Sequence, residues 1–224
     1  MIDYEELKKD LIAHKYTLLQ EYQIDSLWDI LNRVKKENTE GILVETGIYR
    51  GGSSVIMQYA NKILDLNKKL YLFDSFAGLP NIKETKIKNP KFEGHGAGLY
   101  KASLKEVIDN FKRYELYDEE NIIITSGWFE DTLPSFDYGN IALLRFDADI
   151  YSSTLDVMNN LYNKVSDKGY IIIDDYCLLG CRKAIEEFRE KNNIQDQMYT
   201  PYNNPVKEDE YICASWWQKG FKNE

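Results

Sequence analysis

The chain has 224 residues, and its 37 acidic against 28 basic side chains give a formal net charge of −9 at pH 7. This length fits one α/β domain with a large core. The acidic balance argues against nucleic acid or a membrane as the main partner, because both polyanionic surfaces are bound by clustered Lys and Arg. We therefore expect a small-molecule substrate, and whether the chain forms a homo-oligomer is left open.

The N-terminus and the cysteines predict a cytoplasmic protein. The first ten residues, MIDYEELKKD, are charged where a signal peptide is apolar, and the longest apolar stretch is too short to span a bilayer. Cys177, Cys181 and Cys213 are odd in number and lack zinc-ligand spacing. We expect them to be thiols in a reducing compartment, packed as small apolar residues.

The first half of the chain predicts a helical cap followed by two strands. Leucines at helical intervals mark residues 1–40 as an N-terminal cap on a domain of residues 41–224. A strand at 42–46 runs into a glycine turn and a helix, and a second strand, 70–74, ends in an aspartate. Residues 81–100 lack periodicity and predict a loop, which would be able to act as a lid.

The second half predicts alternating helices and strands. Ser103 and Glu106 form a capping box for a helix. Three strands are expected at 121–126, 141–147 and 170–174, then a helix from Arg182 to about Lys191 and a last strand at 210–219. Near-continuous apolar strands between amphipathic helices predict a parallel α/β sheet covered on both faces, with ligands bound at the carboxyl ends of its strands.

Two acidic clusters, RFDAD (145–149) and IIIDDY (171–176), each end an apolar run. Asp147 and Asp174 are 174 − 147 = 27 residues apart, the span of a βαβ unit, so we expect Asp147, Asp149, Asp174 and Asp175 to converge. Converging carboxylates repel one another unless a cation neutralises them. The clusters therefore predict a divalent metal site.

The turn at 47–52 and Asp74 predict a nucleoside-containing ligand. Glycines let a ligand approach the backbone closely, and the next helix presents its N–H groups there. Asp74 ends the second strand and is placed to accept hydrogen bonds from both hydroxyls of a ribose. The turn lacks the GxGxxG spacing of dinucleotide binders.

Five blocks of the sequence resemble motifs of the macrocin O-methyltransferase family, whose members use S-adenosylmethionine and magnesium to methylate sugar hydroxyls. The blocks are ETGIYRGGSS (45–54), FDSFAGLP (73–80), GWFEDTLP (127–134), LLRFDADIYSSTLD (143–156) and IIIDDYCLLGCRKAIEEF (171–188). The resemblance implies a class I methyltransferase fold, a three-layer α/β sandwich around a mostly parallel, seven-stranded sheet with an antiparallel last strand. The acceptor would be a sugar or a glycosylated small molecule.

The resemblance also implies a role for each site residue. Those expected to bind the cofactor are Glu45, Thr46 and Gly47 at its methionine end, Asp74 at its ribose, and Ser75, Gly127 and Trp128 at its adenine. Magnesium would be held by Asp147, Asp174 and Asp175. Asp149 would be the general base, and alternation along an extended segment would place it on the same side as Asp147.

Three further residues depart from the motifs or stand beside them. Ala148 replaces a usual glycine and would narrow the acceptor's approach. We expect Arg145 to pair with a neighbouring acid rather than contact substrate. His95, in the predicted loop, is the next candidate base if Asp149 is a metal ligand.

Other classes of protein explain less of the sequence. A glycosyltransferase would use the DxD at 147–149 but leaves the glycine turn, Asp74 and the Asp174–Asp175 pair without a role. A nicotinamide dehydrogenase would explain Asp74 but not the clustered acids. A noncatalytic nucleoside-binding protein requires that the acids bind nothing.

Overall fold

The structure is a computed structural model that describes residues 2–81, 96–207, 210 and 212–220. Most of the loop predicted at 81–100 lies outside the described residues. The candidate base His95 lies outside them too. The predictions made for His95 and for a lid therefore stay predictions.

Two helices precede the sheet and pack into the main core. The first, α1, spans Tyr4–Ala13, and the second, α2, spans Glu21–Lys36. Asp3 caps α1 by accepting a 2.9 Å hydrogen bond from the Glu6 N–H. The apolar faces of both helices join one buried cluster with residues of the sheet, including Leu7, Leu11, Ile24, Leu27, Leu31, Leu43, Leu143 and Ile172.

Six strands of the described residues form one sheet. They are β1 (Ile42–Thr46), β2 (Leu70–Asp74), β3 (Ile122–Ser126), β4 (Ile141–Phe146), β5 (Val165–Ile173) and β6 (Ser215–Gln218). Their order is β3-β2-β1-β4-β5-β6; the first five are parallel, and β6 is antiparallel to β5. The chain builds outward from β1 on one side and from β4 on the other. The crevice between their carboxyl ends is therefore the expected ligand site.

In the part of the chain that the structure describes, five further helices cover the sheet. They are α3 (Gly52–Ile63), α4 (Leu104–Arg113), α5 (Phe129–Thr132), α6 (Tyr151–Leu161) and α7 (Leu179–Lys191), with short 3-10 helices at Leu133–Ser135 and Tyr162–Lys164. Successive strand residues point to opposite faces. Thus Leu43 packs with α1 to α4 on one face, and Val44 packs with α6 and α7 on the other. The predicted three-layer α/β arrangement is confirmed.

The prediction of seven strands is wrong for the described residues, which form six. The place beyond β6 is taken by an isolated antiparallel bridge between Tyr199 and Trp216. Pro201 and Pro205 follow closely, and proline has no N–H to extend a ladder. The last strand, predicted at 210–219, is shorter in the structure, where it is β6 (Ser215–Gln218). No helix among the described residues is long and apolar enough to cross a membrane.

The prediction that all three cysteines are thiols is also wrong. Cys177 and Cys213 form a disulfide with a Cα–Cα distance of 4.8 Å, whereas Cys181 is free and buried. The pairing follows from the sheet, because β5 and β6 are antiparallel with Ile173 opposite Ser215. Residues just after β5 and just before β6 are therefore brought together, which spacing along the chain does not indicate.

Candidate active site

A cavity of about 590 Å³ opens at the carboxyl ends of β1, β2, β4 and β5. Most of the predicted site residues line it, namely Gly47, Asp74, Ser75, Gly127, Trp128, Asp147, Asp149, Asp174 and Asp175. Glu45 and Thr46 are fully buried on β1 and do not line it. The site residues from distant parts of the sequence thus converge, as parallel strand ends require.

Gly47 lies in the turn after β1, where the backbone packs closely against the end of β4. It has a φ of +78°, and a Cβ placed there would lie 1.8 Å from the carbonyl oxygen of Asp147. No side chain fits that gap. Backbone hydrogen bonds complete the join, since the Gly47 N–H donates to Phe73 and the Asp147 N–H donates to Thr46, both at 2.9 Å. The turn and the first acid of the DxD are therefore held against each other.

Asp74 shapes the turn as well as lining the cavity. One carboxylate oxygen, Oδ2, accepts hydrogen bonds from the N–H groups of Ile48 at 2.8 Å and Tyr49 at 3.2 Å. The other, Oδ1, accepts one from the Phe76 N–H at 2.8 Å. A carboxylate has about four lone-pair sites, so Asp74 has capacity for a ligand hydroxyl.

The loops after β2 and β3 form the adjoining wall. The Ser75 hydroxyl donates to the Gly78 carbonyl at 2.9 Å, and the Gly127 N–H donates to the Asp74 carbonyl at 2.9 Å. Gly127 has a φ of +149°, and Trp128 is the N-cap residue of α5. These hydrogen bonds hold Ser75 and Gly127, and Trp128 follows Gly127 directly; the resemblance places all three at an adenine.

Arg145 lies at the centre of a buried chain of charges. Its Nη1 donates to Glu45 Oε1 at 2.7 Å, and its Nη2 lies 3.0 Å from Asp174 Oδ1 and 3.6 Å from Asp147 Oδ2. The Ser54 hydroxyl donates to the other oxygen of Glu45. The expectation that Arg145 pairs with a neighbouring acid is confirmed. Because Arg145 is only 1 % exposed, these partners offset the cost of burying its charge.

Gln23, which the sequence reasoning did not identify, connects the N-terminal helices to these charged side chains. Its side-chain amide nitrogen lies 3.3 Å from Asp174 Oδ1, and its amide oxygen accepts from the Gln20 N–H at 2.8 Å. The available signal was a glutamine among the apolar residues on the buried side of α2. A buried polar side chain needs partners, and here one partner is a site acid.

Three of the four predicted acids converge most closely. Asp147, Asp149 and Asp175 each offer a carboxylate oxygen, and these oxygens lie within 4.8 Å of one another. Asp149 also donates its N–H to Asp175 Oδ2 at 2.8 Å. The convergence agrees with the predicted βαβ spacing, but the reason given for placing Asp149 beside Asp147 was wrong, because β4 ends at Phe146 and Asp149 has a left-handed φ of +54°. A turn, rather than strand alternation, brings Asp149 to Asp147, and aspartate tolerates that conformation.

Burial and mutual repulsion raise the pKa of the carboxyl groups in this cluster. Burial, and then the neighbouring Asp175 and Asp174, raise the pKa of Asp147 well above its ordinary value. Burial and the charges of Asp147 and Asp174 raise the pKa of Asp149 to about 7, and burial with Asp149 and Asp174 raises that of Asp175 to about 7. Clustered carboxylate oxygens that repel one another are the donor set of a hard divalent cation, which binds oxygen at roughly 2.1 to 2.5 Å. The residues present fit such an ion.

Comparisons with known proteins show which family the chain belongs to. The family model described as macrocin-O-methyltransferase (TylF) matches residues 4–206. A demethyldecarbamoylnovobiocin O-methyltransferase of Streptomyces niveus is 36% identical over 196 residues, which cover 86% of this chain and 74% of that protein. A mycinamicin III 3''-O-methyltransferase of Micromonospora griseorubida is 32% identical over 194 residues, covering 84% of this chain and 74% of that protein.

Solved structures of methyltransferases have the same fold. The O-methyltransferase NovP superposes with a TM-score of 0.77 at 31% identity, covering 91% of this chain and 82% of NovP. The calicheamicin methyltransferase CalS11 superposes with a TM-score of 0.69 at 18% identity, over 98% of this chain and 87% of CalS11, which bears on the fold alone. The chain therefore has a class I methyltransferase fold, belongs to the macrocin O-methyltransferase family and is an S-adenosylmethionine-dependent O-methyltransferase.

Proposed function

We propose that the protein methylates a hydroxyl of a sugar or a glycosylated small molecule, in a site that binds Mg²⁺. The observation that carries this proposal is the convergence of Asp147, Asp149 and Asp175 in one cavity with the Gly47 turn and Asp74. Relatives support the acceptor class: one is named for demethyldecarbamoylnovobiocin, and another for a rhamnosyl-tetracenomycin, from Streptomyces olivaceus, at 34% identity over 194 residues.

We assign the cofactor to the side of the cavity formed by the turns after β1, β2 and β3. Asp74 would accept hydrogen bonds from the ribose, and Ser75, Gly127 and Trp128 would contact the adenine. Gly47 would meet the methionine end, while buried Glu45 and Thr46 would support it from below. S-adenosylmethionine supplies an electrophilic methyl group at this position.

We assign Asp147, Asp174 and Asp175 to the metal, as the resemblance implies, and Asp149 to proton transfer. Asp174 stands outside the close group of Asp147, Asp149 and Asp175, and its Oδ1 contacts Arg145 and Gln23, so its assignment to the metal rests on the resemblance alone. A bound magnesium ion supplies positive charge that favours the ionised forms of oxygen groups at the site. Asp149 is half-buried on a turn that lines the cavity, and there its carboxylate would accept the proton of the acceptor hydroxyl.

The chain also contributes orientation. Holding an acceptor oxygen in line with the methyl group and its sulfur replaces a chance encounter by a fixed approach, which commonly supplies a large part of catalysis. The net change forms an oxygen–carbon bond, breaks a sulfur–carbon bond and moves one proton to Asp149. Asp149 is the group that we assign to the proton, and the acids beside it are the groups that we assign to holding the acceptor oxygen through the metal.

Mass spectrometry of a panel of hydroxylated acceptors tests the proposal. Incubation with S-adenosylmethionine and Mg²⁺ should add one methyl group to a sugar or glycoside, and EDTA should abolish the gain until Mg²⁺ is restored. Full activity in chelator would remove the metal from the mechanism. Methylation of non-glycosylated phenols alone would overturn the acceptor class.

A further inference from the structure

Gln23 is a buried polar side chain of α2 that lines the cavity and is bonded at both ends. Its amide nitrogen lies 3.3 Å from Asp174 Oδ1, and its amide oxygen accepts from the Gln20 N–H at 2.8 Å. The side chain is 8 % exposed, and an amide buried to this degree costs free energy unless both of its polar atoms have partners. A backbone N–H can only donate and a carboxylate can only accept, so these two partners fix the orientation of the amide.

The cap of α2 does not by itself explain a glutamine at this position. Gln23 is the third residue of α2, where the side chain of either Glu or Gln can accept from the N-cap N–H. The positive end of the helix dipole favours Glu there. A carboxylate at position 23 would, however, lie against the carboxylate of Asp174 and would have no N–H to donate to it. The contact with Asp174 is therefore what favours glutamine over glutamate at this site.

Asp174 keeps a rotational freedom that its backbone does not remove. Its N–H donates to the Phe146 carbonyl at 2.9 Å, and its carbonyl accepts from the Ala214 N–H at 2.8 Å, so hydrogen bonds to β4 and to the start of β6 fix its main chain. The side chain can still turn about its own bonds. Two donors restrict that rotation at Oδ1, namely Gln23 and the Arg145 guanidinium, whose Nη2 lies 3.0 Å away. Loss of one donor would allow the carboxylate other rotamers.

Among the described residues, the Gln23 amide is bonded to one acid of the site, whereas Arg145 is shared by three. Arg145 Nη1 donates to Glu45 at 2.7 Å, and its Nη2 also lies 3.6 Å from Asp147 Oδ2. Removing the guanidinium would leave Glu45 buried without its charge partner and would disturb the whole fold. A change at Gln23 therefore isolates the positioning of Asp174.

We infer that Gln23 is a positioning residue for methyl transfer: its amide holds the Asp174 carboxylate in the orientation in which that carboxylate acts with the metal. This inference rests on the proposed function, which assigns Asp174 to magnesium. It makes α2 part of the metal site and not only of a helical cap. Partners that orient a metal-binding carboxylate commonly contribute about 10- to 100-fold to metal affinity or activity, which sets the expected scale.

Manganese binding measured by electron paramagnetic resonance tests the inference. Mn²⁺ prefers the same carboxylate ligands as Mg²⁺, and its spectrum reports both the free ion and the geometry around the bound ion. Mn²⁺ is titrated into protein saturated with S-adenosylhomocysteine. Gln23→Met, which has a similar length but no N–H donor, should bind Mn²⁺ at least about tenfold more weakly than the wild type and should change the spectrum of the bound ion.

Two controls separate positioning from a general effect on the fold. Ser26→Ala removes another buried polar group from α2, one that has no hydrogen-bond partner among the described residues and does not line the cavity, so its Mn²⁺ affinity should equal that of the wild type. Gln23→Met should bind S-adenosylhomocysteine within about twofold of the wild type by calorimetry, because the proposed cofactor side of the cavity does not include Gln23. Melting temperatures verify that each variant folds.

A double-mutant cycle tests whether Gln23 acts through Asp174. Asp174→Asn should by itself weaken Mn²⁺ binding. Adding Gln23→Met to it should change the affinity by about twofold or less, because the carboxylate that Gln23 holds has already been lost. A further loss as large as that in the wild-type background would show that Gln23 acts by another route, and the assignment would be overturned.

The outcomes distinguish the inference from the proposed function. Wild-type Mn²⁺ affinity in Gln23→Met, or equal losses of Mn²⁺ and S-adenosylhomocysteine affinity, would overturn the positioning role and leave the methyltransferase site as proposed. A wild-type protein that binds S-adenosylhomocysteine but no Mn²⁺ would instead contradict the proposed metal.

Discussion

At the scale of single residues, Asp74 is held by the backbone of two loops. Three backbone N–H groups hold its carboxylate in place, and those groups belong to the turn after β1 and to the loop after β2. A ligand hydroxyl would meet a carboxylate that is already oriented. Under the proposed function, loss of the side chain therefore removes a binding group and also loosens the turn beside it.

Asp74→Ala should weaken S-adenosylmethionine binding by about 2 to 3 kcal/mol, the scale for losing hydrogen bonds to a charged acceptor. Calorimetry measures the change directly. Asp74→Asn keeps one acceptor oxygen and should lose less affinity, and the exposed Asp109→Ala should lose none. Unchanged affinity in Asp74→Ala would show that the ribose lies elsewhere.

Asp149→Asn should lower the catalytic rate by about 10² to 10⁴ fold, the usual range for a positioned general base, while Mg²⁺ and cofactor still bind. The amide preserves the shape of the side chain and its left-handed turn. Turnover at saturating acceptor and calorimetric Mg²⁺ affinity are measured on the same preparation. If the variant loses Mg²⁺ as well, Asp149 is a metal ligand and the base must be sought elsewhere.

At the scale of helices and strands, periodicity predicted most of the elements because burial imposes it. β1 and β2 match the predicted ranges, and α7 begins three residues before the predicted Arg182. Alternation did not predict the left-handed turn at Asp149, since a single turn residue leaves no periodic signal. Nor did it predict the contact of Gln23 with Asp174, which depends on how α2 packs across the sheet.

The link between the ends of β5 and β6 has a measurable energetic role. The Cys177–Cys213 disulfide closes a loop of 36 residues, and restricting the unfolded chain over that length stabilises the fold by about 3 to 4 kcal/mol. A Cys177→Ala, Cys213→Ala double variant should lose this free energy of unfolding, as measured by urea denaturation.

Dithiothreitol provides the control for this link. It should lower the urea midpoint of the wild type to that of the double variant and leave the double variant unchanged. A thiol-reactive dye should titrate one cysteine in the unfolded wild type without reductant, namely Cys181. Three reactive thiols in the unfolded wild type would contradict the disulfide. Equal urea midpoints for the wild type and the double variant without reductant would contradict its stabilising role.

At the scale of the whole molecule, the acid cluster links stability to pH and, under the proposed function, to metal. Burial and neighbouring charges raise the pKa of Asp149 and of Asp175 to about 7. In the unfolded chain aspartates ionise near about 4, so between about pH 4 and 7 the folded state holds protons that the unfolded state has lost. The free energy of unfolding therefore falls as pH rises through this window and levels off above it.

A divalent cation bound to the ionised carboxylates should offset that loss. Mg²⁺ should therefore raise the melting temperature more at pH 8 than at pH 6, where part of the cluster is protonated and competes with the ion. Thermal unfolding with and without Mg²⁺ at both pH values measures this. The difference should disappear in an Asp147→Asn, Asp175→Asn double variant, and an equal shift at both pH values would contradict the link.

The contact of Gly47 with the Asp147 carbonyl oxygen has a further consequence for precision. The gap between them is too small for a methyl group, so the two strand ends are spaced by backbone atoms rather than by rotatable side chains. Under the proposed function, one end positions the methyl donor and the other the group that receives the methyl. The separation of the two reactants is then set by the rigid sheet, where an error of roughly 1 Å costs about a hundredfold in rate. Acceptors can vary widely in shape at the cavity mouth without altering the distance over which the methyl group travels.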